Sequence, residues 1–399
     1  MKRASVYFVM SLLVCLFAVA ATAQAGGFGL FEWGNAALGQ GTAYYATGDD
    51  PSVIAYNPAQ MTRLEGIQVY AGVTAISPNS DVNINGTKNS TSQQVFAVPH
   101  AYATYQVNDK LFIGAGEFTR FGLGTKYEDG WTGATLLREA KLESFSFNPT
   151  IAYKVNDSLS IAGGLEIIKG SFYVTKQHFA TGRPFNVEVE GTSLSGNVGL
   201  LYDFTDDFSV GFSYRAPVSF TGHGDAELDG LLPQTNATVE ATFPDQYSLG
   251  LGYQLTEDLS FEFDVIFTRW ELFNDMSFDF ESALYPDNVE TFNYKNTWRF
   301  QLGTEYMATD NWALRAGYVF DQTPTRHAYA SLMLPANDRH MFTLGTGYTF
   351  GDLTADLAGM YIFTEEREAL TMFDGATRSS VDFKQGQTWG LGLSLGYKF

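Results

Sequence analysis

Six short turns marked by aspartate divide this chain at nearly regular intervals. They are Val107-Asn108-Asp109, Val155-Asn156-Asp157, Phe204-Thr205-Asp206, Thr256-Glu257-Asp258, Thr309-Asp310-Asn311 and Phe350-Gly351-Asp352. Subtracting successive Asp positions gives spacings of 48, 49, 52, 52 and 42 residues. Such an interval holds two strands of about 10–13 residues and one long loop. Asn and Asp suit these turns because their side chains bond the nearby backbone and tolerate unusual φ. Short turns at one end and long loops at the other are the arrangement of a membrane β-barrel.

The turns also count the strands. Six hairpins supply twelve, one more precedes them at residues 66–77, and one follows at residues 387–399, for a total of 14. That number is even, and both termini fall on the short-turn side. The predicted fold is therefore all-β: a 14-stranded antiparallel transmembrane β-barrel. Its lumen is wider than the packed interior of a small barrel and narrower than that of a 16–18-stranded porin.

Alternation assigns the two faces. In the last strand Gln387, Trp389, Leu391, Leu393, Leu395, Tyr397 and Phe399 share one side, with Thr388, Gly390, Gly392, Ser394, Gly396 and Lys398 on the other. Trp298, Phe300, Leu302, Thr304 and Tyr306 likewise alternate with Arg299, Gln301, Gly303 and Glu305. A charge on the lipid face costs a few kcal/mol near mid-membrane, so the face that carries the charges is the lumen. A soluble β-sandwich would also alternate, but it gives no reason for a secretory leader, twelve evenly spaced hairpin arms and a terminal aromatic strand together.

That leader is residues 1–25. Lys2 and Arg3 precede an apolar stretch from Val6 to Ala20, and small residues offer cleavage after Ala23 or Ala25. The stretch is short for a membrane anchor. The only cysteine, Cys15, falls inside it, so the mature chain is expected to carry no thiol chemistry. Removing two of 24 basic residues leaves 22 − 44 = −22 formal charges, which argues against nucleic acid as a partner.

Residues 26–63 do not alternate. Small residues and scattered aromatics there suit a plug packed inside a wall, ahead of a barrel over residues 64–399. Asp50-Pro51 and Asn57-Pro58 each read as a helix start, a cap followed by proline. In this position the motif Asn57, Pro58, Ala59 resembles the N-terminal hatch of the FadL family, the outer-membrane transporters of long-chain fatty acids and hydrocarbons. The likeness continues through residues 121–125, 295–306, 335–339 and the C-terminal strand, and covers essentially the whole mature chain.

The resemblance implies passive uptake of hydrophobic molecules across the outer membrane of a Gram-negative bacterium. Ligand is caught between extracellular loops, passes to a lumenal pocket beside the N-terminal residues, and leaves laterally through a kink in the third strand as the hatch moves. Phe28, Leu30 and Phe31 are then the apolar pocket candidates. Leu111 and Ile113 set a parity that would turn Glu117 toward lipid, and a kink among Gly114, Gly116, Phe118, Phe121 and Gly122 would repair it, the glycine run permitting the bulge. Lys295, Arg299 and Arg315 are placed on the lumenal face of adjoining strands and Arg215 on that of its own strand; any of them could meet a carboxylate. The same cations could instead pair with Glu262, Asp264, Glu305 or Asp321 and hold hatch to wall. Apolar residues at 136–137 and 231–233 fall in loops, where they either offer an entry or fold back onto their own loop, while the short loop within residues 171–184 leaves the capture groove open to question.

Five scattered histidines show no metal-ligand spacing, no nucleophile elbow is present, and the glycine-rich run at 390–396 lies on a strand. No enzyme activity, metal or cofactor is expected. Phe399 resembles the terminal aromatic read by barrel assembly machinery. Lipid and lipopolysaccharide are the expected surroundings, and the chain is expected to act as a monomer. Alternatives to a fatty-acid channel are an aromatic or alkane hydrocarbon channel, an open porin for polar solutes, and a lipid-modifying enzyme.

Overall fold

The computed structural model describes residues 27–373 and 377–399. The expected leader, residues 1–25, lies outside them. Period-two alternation becomes one closed antiparallel sheet. Its 14 wall strands are β1 (Ile67–Ile84), β2 (Phe96–Gln106), β3 (Leu111–Phe118, resuming at Gly122–Lys126), β4 (Glu139–Lys154), β5 (Leu159–Gln177), β6 (Pro184–Thr205), β7 (Phe208–Arg215 and Val218–Leu228), β8 (Thr235–Phe243 and Gln246–Thr256), β9 (Leu259–Thr268), β10 (Thr297–Thr309), β11 (Trp312–Asp321), β12 (Arg339–Phe350), β13 (Leu353–Thr364) and β14 (Thr377–Lys398). Each pairs with its neighbour, and β1 closes the barrel on β14 from Gln68↔Lys398 upward. All six Asp-marked turns join consecutive strands at one end. In the turns after β2 and β4, Asn108 and Asn156 accept the backbone N–H groups two and three residues on, as such turns require.

The alternating faces fall as expected. Trp298, Leu314, Leu391, Leu393 and Leu395 are exposed, while Arg299, Gln301, Glu262, Asp264 and Arg315 are buried. No helix among the described residues is long and apolar enough to cross a membrane, so the apolar outer face belongs to strands.

Residues 27–62 pack against the inner face of this wall, and 63–66 lead out to β1. They carry the short helices Asn35–Gly39 and Val53–Tyr56 and a 3-10 turn, Pro58–Arg63. Asn57 caps that turn as read from sequence, its side chain accepting Ala59 N–H. Asp50 instead caps a turn, accepting Ser52 N–H, and the helix begins three residues later. Glycines on the lumenal face let the hatch backbone touch the wall: a Cβ at Gly211 would lie 1.9 Å from Tyr45 O, and one at Gly317 2.1 Å from Gly41 N.

Three apolar clusters result among the described residues, one of them joining Leu38 of the hatch to Ile76, Val98 and Val319 of the wall; the other two border the site. The lower joins Trp33, Tyr45, Ile54 and Tyr56 of the hatch to Phe112 and Phe118 of β3. The upper lies toward the long-loop end and surrounds Phe28.

Candidate functional site

The third strand carries the site. Regular pairing runs to Phe118↔Ser146 and resumes at Gly122↔Glu143, so four steps on β3 oppose three on β4. That is a one-residue bulge, and it reverses which later side chains face inward. The bulge lies at Thr119–Phe121, not at the glycines. Gly114 and Gly116 stay in register, facing Ile54 of the hatch, and their lack of a side chain serves hatch packing. Glu117 therefore keeps the outward parity that the expected repair was meant to remove. Phe118 points inward against Trp33. Past Ala101↔Glu117 the pairing of β2 with β3 stops, and Phe96–His100 of β2 pairs with β1 alone.

Residues 28–30 fill part of this break. Gly29 bridges Phe121, Gly122 N–H donates to Phe28 O at 3.0 Å, and Leu30 N–H donates to Arg120 O at 3.0 Å. The Arg120 guanidinium, buried, reaches Glu166 of β5 and the carbonyls of Ala216 and Pro244, where β7 and β8 are themselves interrupted. Residues 269–274 insert between β9 and a short extracellular strand, and send Trp270 and Phe273 into the lumen. Phe28 sits between their rings, 4.9 Å from each, and 5.7 Å from Phe243.

Two spaces adjoin Phe28. One is a small apolar pocket lined by Phe172, Phe220, Phe243, Met276 and Met333, with no polar side chain. The other is a cavity of about 620 Å³, inside the range of about 300–1,000 Å³ usual for ligand sites. The two share Phe28, Leu123 and Leu142. The larger cavity is bounded by Leu30, by Arg299, Asp321 and Arg339, and by residues of both wall faces: Ser144 from the lumen, Phe145 and Val95 from the exposed side.

The predicted cations divide. Arg215 is 2% exposed and donates to Ile54 O and Ala55 O at the end of a hatch helix, to Glu166, and lies over Trp33 and Phe118. Arg315 is held by Glu305 and Asp356, both at 2.6 Å. Arg215 joins hatch to wall, Arg315 ties β11 to β10 and β13 of the wall, and neither lines the 620 Å³ cavity. Lys295 is not on the strand face expected of it: it precedes β10, in a loop whose backbone bonds Pro324 O. Burial there pushes its ammonium below the ordinary lysine range, against the pull of Asp338. Arg299 does face the cavity. It binds Asp321 at 3.0 Å and Thr42 Oγ1 at 3.2 Å, with its guanidinium 4.1 Å from the Phe31 ring centre. Asp321 also accepts from Arg339 at 2.7 Å. Two guanidiniums thus share one carboxylate on the cavity, whose lining also carries Glu32, Glu139, Lys141 and Glu143.

Of the pairings considered for these cations, Glu305 and Asp321 take part. Glu262 and Asp264 instead accept hatch backbone N–H groups, at Tyr45–Thr47 and at Tyr44. Arg120, Trp270, Phe273 and Arg339 were not singled out from sequence; the one signal was residues 335–339, as a family likeness. In the loops, Leu137 is buried and Leu136 packs beside it, the folded-back alternative, whereas Leu231 is 49% exposed.

The fold also brings together a hydroxyl and an imidazole. Ser394 Oγ and His100 Nε2 are 2.8 Å apart. Asn35 donates to the same Ser394 Oγ, and His100 Nδ1 has no partner that would orient it. Both residues are buried and neither lines the cavities described. The pair fixes Asn35 of the hatch between β1, β2 and β14.

Three comparisons place this geometry among known proteins. The family model described as outer membrane protein transport protein (OMPP1/FadL/TodX) matches residues 16–399. A long-chain fatty acid transport protein of Salmonella typhi is 25% identical over 450 residues, covering 100% of both chains. Outer membrane protein P1 of Haemophilus influenzae is 26% identical, covering 98% of this chain and 99% of its own. Among solved structures, a Pseudomonas aeruginosa FadL homologue superposes with a TM-score of 0.85 at 22% identity, over 94% of this chain and all of its own. The Ralstonia pickettii toluene transporter TbuX gives 0.74 at 20%, over 93% of this chain and all of its own.

Proposed function

We propose, from the premise that this chain belongs to the OMPP1/FadL/TodX family of outer-membrane transport proteins, that its ligand is a long-chain carboxylic acid. The protein is an outer-membrane transporter of hydrophobic compounds; the proposal concerns which compounds, and by what path. The observation that carries it is the placement of Arg299 and Arg339 around a single Asp321 on a cavity whose other end is the Phe28 cage. An ionised headgroup in an apolar space needs a cation, and guanidinium binds carboxylate in two-point fashion. The tail lies along Leu123 and Leu142 toward the apolar pocket.

The test is direct binding of palmitate and its methyl ester to the purified protein. Arg299→Ala and Arg339→Ala are expected to weaken palmitate at least tenfold and leave the ester within twofold. Equal affinities in both variants would refute the carboxylate role. The apolar pocket, free of polar side chains, supports a second reading: a channel for neutral aromatic hydrocarbons. Toluene binding indifferent to both arginines would favour it.

The path follows from the bulge. Ligand leaves by passive diffusion between β2 and β3, where pairing lapses and the cavity lining passes from Ser144 to Phe145. Deleting Thr119 removes the extra residue and restores the ladder. It is expected to abolish transfer; transfer at the normal rate would place the exit elsewhere.

A further inference from the structure

The 17 residues between β11 and β12, 322–338, do not loop away from the barrel. They turn back over its mouth. Thr323, Thr325, Leu332, Met333, Ala336 and Asp338 are all buried, and the only regular structure is a single 3-10 turn, His327–Tyr329. None of these residues joins the strand ladder of the wall. The segment is held by separate bonds around the rim. Tyr127 Oη donates to Leu332 O at 2.9 Å and Thr125 Oγ1 to Met333 O at 2.7 Å. Lys295 N–H donates to Pro324 O and Ala330 N–H to Leu370 O. Arg367 donates to both the hydroxyl and the carbonyl of Thr325.

The segment also roofs both ligand spaces. Met333 lines the apolar pocket, and Leu334, Pro335 and Ala336 line the larger cavity. Its last residue, Asp338, is fully buried, and neither carboxylate oxygen accepts a hydrogen bond. A buried carboxylate that accepts no hydrogen bond, its charge offset only through space by Lys295 and Arg367, penalises the closed arrangement. Few ladder bonds, dispersed side-chain tethers and a penalised hinge residue mark a segment that opens locally at low cost compared with the wall.

We propose that residues 322–338 are a lid on the extracellular side, which must lift for a hydrophobic ligand to reach the pocket. The proposal rests on the transport reading above, and deepens it by naming the moving part. Closed, the lid excludes water from the apolar pocket. Lifted, it withdraws Met333 from that pocket and Leu334 from the cavity, opening both from above while the wall strands stay in place.

The absence of cysteine beyond Cys15 makes the test clean. A Thr125→Cys/Met333→Cys double variant is joined by a bis-maleimide with a reducible disulfide in its spacer. Loading with radiolabelled oleate and with toluene is followed before cross-linking, after it, and after reduction. The cross-linked protein is expected to load at least tenfold more slowly and to recover on reduction. Loading at the uncross-linked rate overturns the lid. Failure of the uncross-linked protein to bind either probe counts against the transport reading instead. A readout without ligand then decides the lid. Met333→Cys alone should react slowly with a maleimide, and at least tenfold faster when Arg367→Gln cuts the tethers to Thr325. Equal rates in the two backgrounds overturn the proposal.

Discussion

Glu262 shows what holds the hatch. Its carboxylate, 0% exposed on the lumenal face of β9, accepts the backbone N–H groups of Tyr45, Ala46 (2.7 Å) and Thr47 (2.8 Å), together with the Thr47 hydroxyl. Among the described residues these three amides have no second acceptor. Glu262→Ala therefore leaves three donors unpaired. Each costs about 1–3 kcal/mol when buried, a gross loss of about 3–9 kcal/mol. Water entering the vacated space offsets part of it, so about 3 kcal/mol is the figure to test. At about 1.4 kcal/mol per factor of ten, local opening of the hatch becomes on the order of 100-fold more frequent. Hydrogen exchange measured by mass spectrometry reports this directly: peptides spanning residues 42–50 should lose about that much protection, while β12–β14 keep theirs. Glu262→Gln, which keeps one acceptor oxygen but turns an amide donor toward the backbone donors, should fall between. Unchanged exchange in the alanine variant would mean that the hatch is held by other contacts and that the carboxylate only fills space.

Arg215→Met removes the guanidinium from Ile54 O and Ala55 O and should cost about 1–3 kcal/mol for each buried carbonyl left without a donor, while Glu166 keeps its pair with Arg120; thermal unfolding checks the loss, and the ratio of palmitate to methyl-ester affinity should stay within twofold, since Arg215 holds the hatch and not the ligand. Asp50, pushed up to about 7 by burial and then by the neighbouring Asp49 carboxylate, favours its protonated form in the folded protein; hatch docking should be firmest below the ordinary carboxylate range of about 4 and weaken as pH rises through about 7, and Asp50→Asn should flatten that trend in exchange measured between pH 5 and pH 8 and corrected for intrinsic rates.

Much of the wall was legible because its signals are local. A turn residue two positions from its partner amide needs nothing distant to act, so the six turns gave the strand count. Alternation depends only on parity, so it placed Arg215, Arg299, Arg315, Glu262 and Asp264 on the inner face correctly. What it could not give was each charge's partner. Arg215 and Arg299 differ in role because the hatch passes beside one as a helix end and beside the other as Phe31 and Thr42. That path is set by packing between residues more than 150 positions apart. Lys295 was misplaced for a related reason: parity was extended across a loop that ends before β10 begins. The bulge was sought at the glycines because glycine tolerates bulges, yet those glycines were needed where Ile54 approaches. Residues 322–338 and 269–274 have no periodicity, so nothing in their sequence announced that they fold inward.

The bulge and the pocket are one construction. Adding a residue at Thr119–Phe121 withdraws backbone groups from the ladder, and buried backbone groups must be paired. Two of them, Gly122 N–H and Arg120 C=O, are paired by Phe28 O and Leu30 N–H. The side chain that this pairing positions is Phe28, which divides the apolar pocket from the larger cavity. A ligand that displaces the ring also strips those two bonds from the wall, at about 1–3 kcal/mol for each group left unpaired. Conversely, the wall cannot regain a regular ladder at this point without evicting residues 28–30. The same few atoms that pair the broken wall therefore hold the Phe28 ring between the two spaces.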